Sequence, residues 1–365
     1  MKYDLIIIGG GLSGLAAGIR SAHFGNRVCI LEQQGRVGGL NSYYHYQGRI
    51  FDIGLHAITN YVPRHIKSTP LAKTLRQLRL SYDDFQLLPQ QISRITFPTK
   101  ELRFTNDFNF FIQEISEKFP HQIDQFTKFV QSLKGYDEFS AKKEFVSTRQ
   151  ILQSFFSDPL LIEMLLCPLM FYGCSWENDI DFAQFSVLFR SIFCEGFAKP
   201  QDGMSKIIQL LKIKYQHCGG ELKTNCKVQK LHIHQNQVEE IHLANGQILK
   251  AEKIISCIGL PETKALCTSW GGKTTNRTTT PRSGVLSFME AIITLNTMPS
   301  QLTFDTTILF YNDSERFLYQ RPKTLIDTSS GVICCPNNYQ SEKPLPEGMI
   351  RLTHLANFTL WDGLD

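Results

Sequence analysis

Residues 3–32 read YDLIIIGGGLSGLAAGIRSAHFGNRVCILE, and this run decides the fold. Asp4 apart, residues 3–8 are apolar or aromatic and β-branched at Ile6, Ile7 and Ile8, as in a strand buried on both faces of a parallel sheet. Gly9, Gly11 and Gly14 then give GxGxxG. A helical composition follows, stops at Gly25 and Asn26, and gives way to a second apolar run at residues 28–31. Strand, glycine turn, helix and strand in one short stretch make a βαβ unit of the dinucleotide-binding kind.

Each residue type has a physical task. Gly9 permits the tight turn out of the strand, Gly11 lets a pyrophosphate approach the backbone, and Gly14 lets the helix pack close to the sheet. Unpaired amides and the positive end of the helix dipole then favour an anion at the helix start. Glu32 closes the second strand, where a carboxylate accepts hydrogen bonds from a ribose diol and repels a 2′-phosphate. The pattern selects an adenosine lacking that phosphate and by itself leaves NAD and FAD undecided.

The following residues narrow the choice. Glu32, Arg36, Gly38 and Gly39 form ExxxRxGG, and residues 48–60 read GRIFDIGLHAITN. With these, the sequence resembles the FAD-dependent amine oxidase and phytoene desaturase superfamily. The resemblance implies FAD, with the acid on the adenosine ribose and the glycine pair running along the pyrophosphate towards the flavin. Cofactor contacts carry over to Gly9, Gly11, Ser13, Gly14, Glu32, Arg36, Gly38, Gly39 and Gly54, and to Val228 at the adenine. Read on their own chemistry, Gly38 and Gly39 offer backbone amides at close range and Arg36 is able to neutralise phosphate. A solvated loop cation is the plain alternative for Arg36, and a core valine for Val228. His56 is placed by the resemblance near the flavin end, as a candidate to polarise or deprotonate a substrate, with an orienting or structural role as the competing reading.

The implied architecture is α/β: a Rossmann-like FAD-binding domain, parallel sheet plus β-meander, with an inserted α+β substrate domain. Residues 1–60 hold its first part. Residues 61–200 read as a mostly helical insertion, with a hairpin around Pro98, Thr99 and Lys100. Apolar stripes follow at Phe108, Phe111, Ile112 and Ile115 and at Ile123, Phe126, Phe129 and Val130. Such stripes usually form core, yet residues 155–176 are aromatic enough to line an apolar cavity. Residues 201–260 return to the cofactor domain. There Met204, Ile207, Ile208, Leu211 and Tyr215 share a helical face, a three-strand meander spans 228–250, and residues 254–258 read as a buried strand. Residues 261–365 read as a β-rich substrate lobe, with strand-like runs at 285–295, 307–311, 331–335 and 349–355. The resembling proteins end with another glycine-containing segment facing the flavin, and nothing in residues 349–365 matches it. A fragment, or a shortened relative, is therefore expected.

Composition bounds the partners. A chain of 365 residues suits two domains at roughly 100–200 residues each. With 42% hydrophobic and 20% charged residues it is too apolar for disorder. The formal net charge of +4 is spread without a like-charge block, so nothing calls for nucleic acid. No uninterrupted apolar window reaches the roughly 18 residues of a membrane span. The best, residues 159–173, contains Glu163 and Pro168 and suits a buried helix or an apolar wall touching a membrane surface. The ten cysteines include no CxxC pair, which fits reduced thiols in a cytoplasmic protein and proposes no metal site. The expected function is flavin hydride transfer with an apolar substrate, an isoprenoid or carotenoid-like polyene. The alternatives are an amine oxidase or protoporphyrinogen oxidase-like enzyme, or a truncated, inactive FAD-binding protein.

Overall fold

The computed structural model describes residues 2–54, 57–136, 144–267 and 286–364. It divides into two compact units. The first comprises Met1–Leu55, Ala72–Gln86 and Pro200–Ser283, and the second His56–Leu71, Leu87–Lys199 and Gly284–Asp365.

The first unit is built on a six-stranded sheet in the order Val228–His234, Gln237–Leu243, Ile248–Ser256, Lys2–Ile8, Val28–Leu31, Glu221–Lys223. The last four strands run parallel, with Ile7 paired to Ile30 on one side and Ile255 on the other. The first three form the antiparallel meander. Ile6 and Ile7 are fully buried, as the unbroken isoleucine run requires. Helices Leu12–Ala22 and Met204–His217 pack together. The second buries Met204, Ile207, Ile208, Leu211 and Tyr215, the face legible in the sequence.

Two expectations change here. The buried strand expected at 254–258 is the second half of one strand, Ile248–Ser256, continuous with the third strand of the meander. Its Ile255 is 40% exposed. Residues 72–86, read as part of the insertion, group with the first unit. The helix Pro70–Leu78 supplies the reason: Arg20 Nη1 donates to the Gln77 carbonyl at 2.9 Å, and Leu75 and Leu78 are buried.

The second unit also holds a six-stranded sheet, in the order Ser287–Leu295, Gly348–Ala356, Ser330–Cys334, Ile308–Asn312, Ser93–Thr96, Glu101–Phe104. The hairpin of the insertion thus joins the C-terminal strands, Ile95 pairing with Phe310. Helices Phe108–Lys118, Ile123–Lys134, Thr148–Phe155, Pro159–Phe171 and Phe182–Phe189 contribute to its core. Four start on a side-chain cap: Asp107, Ser147, Asp158 and Asp181 each accept a bond from an amide of the first turn. Beneath them Phe111 and Phe193 stack at 4.4 Å, Phe126 packs on Phe111 and Phe189 on Phe193, and Phe129 and Phe185 extend the cluster from Phe189.

Segment 155–176 therefore fills space that its composition suggested it would enclose. Leu161, Met164, Leu165, Leu169 and Met170 are fully buried, in one cluster with Phe310, Val332 and Leu355 of the sheet. Glu163 tolerates burial because Arg149 meets both its oxygens, at 2.5 and 3.1 Å. Cys334 and Cys335 are likewise core, and burial pushes the Cys334 thiol up to about 12. Among the described residues no helix is long and apolar enough to cross a membrane.

Candidate cofactor site

The site lies in the first unit, at the carboxyl end of strand Lys2–Ile8, where α/β sheets take their ligands. Gly9 leaves the strand at φ 102, and its amide donates to Leu31 O at 2.9 Å. A Cβ on Gly14 would sit 2.0 Å from the Gly9 carbonyl, so the helix closes on the turn only with glycine there.

Gly11 is different. Its φ of −71 and ψ of −179 suit any residue, and a Cβ would meet nothing nearer than Gly39 Cα at 3.9 Å. Neither backbone nor packing demands glycine at this position. A side chain would instead fill the space before helix Leu12–Ala22. That helix has no side-chain cap, unlike the four capped helices of the second unit. Its orphan amides and dipole are left for an anion. Ser13, exposed on the first turn, adds a hydroxyl there.

Glu32 is buried and oriented by two amides. Its Oε2 accepts from Gly10 N at 2.7 Å and its Oε1 from Gln34 N at 2.8 Å. A carboxylate has about four acceptor positions, so room remains for a diol. Gly38 and Gly39 have φ of 125 and 58, and the Gly38 amide donates to Gly10 O at 2.9 Å. A Cβ on Gly38 would strike Ile208 Cδ1 at 2.7 Å. Both glycine turns are thus locked together. Gly54, at φ 67, has open space around its missing side chain, with Leu40 O nearest at 4.0 Å.

Arg36 donates from Nη1 to the Tyr43 carbonyl, and its guanidinium lies 4.6 Å from the Tyr43 ring centroid. It is held on the wall of a cleft of about 490 Å³ lined also by Glu32, Gln34, Gly39, Ser42, Tyr43 and Ile53. Sequence reasoning missed Ser42 and Tyr43, although their place just after the glycine pair was a usable signal. Val228 is buried at the start of its strand in the cluster of Tyr3, Leu31 and Leu231. His56 lies outside the described residues.

An uncapped helix N-terminus after a parallel strand, a buried carboxylate held by two amides and interlocked glycine turns mark a Rossmann-like α/β protein. Comparison with known proteins makes this specific. The family model described as flavin containing amine oxidoreductase matches residues 12–353, and the chain belongs to that family. It is 24% identical over 278 residues to a phytoene desaturase (lycopene-forming) of Pseudescherichia vulneris, covering 69% of this chain and 54% of that protein. With a 4,4′-diaponeurosporene oxygenase of Staphylococcus aureus the identity is 26% over 283 residues, covering 70% and 56%. The chain spans about half the length of these curated relatives. Among solved structures, an oxidoreductase from Methanosarcina mazei superposes with a TM-score of 0.71 at 18% identity, over all of this chain and 81% of that one. Putrescine oxidase bound to putrescine gives 0.63 at 15%, over 100% and 78%. These likenesses are of fold.

Proposed function

We propose that this chain binds FAD and is an FAD-dependent oxidoreductase acting on an apolar, isoprenoid-like substrate. The observation that carries the cofactor is Gly11, a glycine the fold does not need, set before an uncapped helix. Amides at the start of helix Leu12–Ala22 hold the pyrophosphate, and Gly38 and Gly39 keep the neighbouring backbone bare. Glu32, already aimed by Gly10 and Gln34, takes the ribose diol. A site for the adenosine half favours FAD over FMN. When bound, the flavin supplies hydride acceptance and donation at its ring.

The substrate class is supported by the relatives, which are named as a lycopene-forming phytoene desaturase and a 4,4′-diaponeurosporene oxygenase. Titration of the purified chain with FAD, NAD and FMN, followed by absorbance and fluorescence, tests the cofactor. Tighter binding of NAD or FMN than of FAD would remove it. Anaerobic bleaching of the loaded protein by polyenes, primary amines and porphyrinogens tests the substrate, and turnover of a small amine with none of any polyene would defeat that half.

A further inference from the structure

Three helix C-termini meet in the first unit. His23 follows the last residue of Leu12–Ala22, Cys218 follows the last residue of Met204–His217, and Leu78 closes Pro70–Leu78. His23 Nδ1 lies 3.4 Å from Cys218 Sγ, and its Nε2 lies 3.3 Å from the Leu78 carbonyl oxygen. Because a carbonyl only accepts, the ring proton belongs on Nε2. The Nδ1 lone pair is then left to accept from the thiol. A nucleophile, a base within its reach and a third group that orients the base form the arrangement that activates a thiol.

The surroundings suit charge separation in this pair. Carbonyl ends of helices stabilise a cation, so an imidazolium is accommodated where they meet. Each helix also carries basic residues in its last turn, Arg20, Arg76, and Lys214 with His217, which favour an anion brought to the corner. Cys218 and His23 are both half-buried, within reach of a small molecule. A Cβ added at Gly25 or Gly219, which lie close to the pair in the chain, would meet nothing within 4 Å. Among the described residues Cys218 is the one cysteine with a hydrogen bond to an imidazole. Burial pushes the other nine thiols up, Cys29 and Cys194 to about 12.

We propose that Cys218 is a thiol-modification site, with His23 as its base, that reacts with a small anionic disulfide of the glutathione disulfide class. The thiol proton passes to His23 Nδ1 while the sulfur attacks one sulfur of the disulfide. That S–S bond breaks, its electron pair leaves on the other sulfur, and the leaving thiolate takes the proton back from the imidazolium. Cys218 is oxidised into a mixed disulfide, and half of the reagent is reduced to a free thiol. The site lies at the other end of helix Leu12–Ala22 from the cofactor turn and does not depend on the FAD reading.

The test incubates the full chain with glutathione disulfide at neutral pH and maps the adducts by peptide mass spectrometry. Cys218 should carry the first adduct, dithiothreitol should release it, and Cys218→Ser should lose it. An unassisted thiol is only a few per cent thiolate at about pH 7, so His23→Gln should slow the reaction about tenfold. At about pH 10, where an ordinary thiol is ionised without help, His23→Gln and the wild-type chain should react at similar rates. A slowing that persists there marks a structural role for His23 and overturns the base assignment. Circular dichroism establishes that each variant is folded, and His23→Asn replaces His23→Gln should the latter fail that check. A first adduct on another cysteine, no adduct at all, or a wild-type rate at neutral pH in the folded His23 variant overturns the inference.

Discussion

Asp52 Oδ1 accepts a 3.0 Å hydrogen bond from the amide of Met204, the first residue of a helix 152 positions further along the chain. The acid of GRIFDIG is thus a remote helix cap, and Gly203 makes room for it, since a Cβ there would sit 2.6 Å from its Oδ2. The capped helix carries Ile208, which packs at Gly38 in the cofactor loop. Asp52→Ala should cost about 1 kcal/mol, as loss of a cap does, and weaken FAD binding without removing it. Denaturant melts and FAD titration of the variant check both effects.

Gly11 and Gly14 should separate ligand from fold. Gly11→Asp places a capping carboxylate where the backbone is already extended. It should stabilise the cofactor-free chain by about 0.5–1 kcal/mol and abolish FAD binding, because the anion site is then filled from within. Gly14→Ala, forced against the Gly9 carbonyl, should destabilise by about 3 kcal/mol or prevent folding. Melting curves with and without FAD decide. A Gly11→Asp protein that still binds FAD normally would contradict the site.

Removing the Glu32 carboxylate strands the Gly10 and Gln34 amides. Glu32→Ala should therefore lose about 1–3 kcal/mol of stability and, separately, affinity for the adenosine half of the cofactor. Comparing FAD with FMN distinguishes the two losses, since only FAD brings a ribose diol to Glu32.

Leu165 tests whether helix Pro159–Phe171 is core or substrate wall. Fully buried in the phenylalanine cluster, it should cost about 2–5 kcal/mol on replacement by alanine, with polyene affinity unchanged in the folded fraction. A stable Leu165→Ala protein with altered ligand binding would reverse that assignment.

Acid sensitivity of the second unit should have an identifiable source. Burial alone would raise the Glu114 pKa, but hydrogen bonds from the Arg103 side chain and amide hold it below the ordinary carboxylate value. A carboxylate depressed on folding contributes stability in full above its unfolded pKa and loses it as pH falls through the lower, folded value. Melting temperature should accordingly drop on the acid side of the ordinary carboxylate range. Glu114→Gln should be less stable near neutrality and show a flatter acid limb.

Much of this protein was local enough to read in the chain. The strand at Ile6–Ile8, the turn of Gly9 and Gly14 and the buried face from Met204 to Tyr215 follow from short-range periodicity and from backbone positions that admit only glycine. Tertiary contacts decided the rest. Residues near in sequence do not reveal that Asp52 caps Met204, that Ile95 pairs with Phe310, or that residues 248–256 are one strand with an exposed Ile255. The same limit applies to apolar function. An apolar helix such as Pro159–Phe171 has one composition whether it lines a cavity or fills a core, and only the elements packed around it determine which. A strand such as Gly348–Ala356 likewise shows its alternation in sequence, but which of its two faces meets the helices is settled by pairing and packing, and here that put Arg351 inward and Leu352 outward.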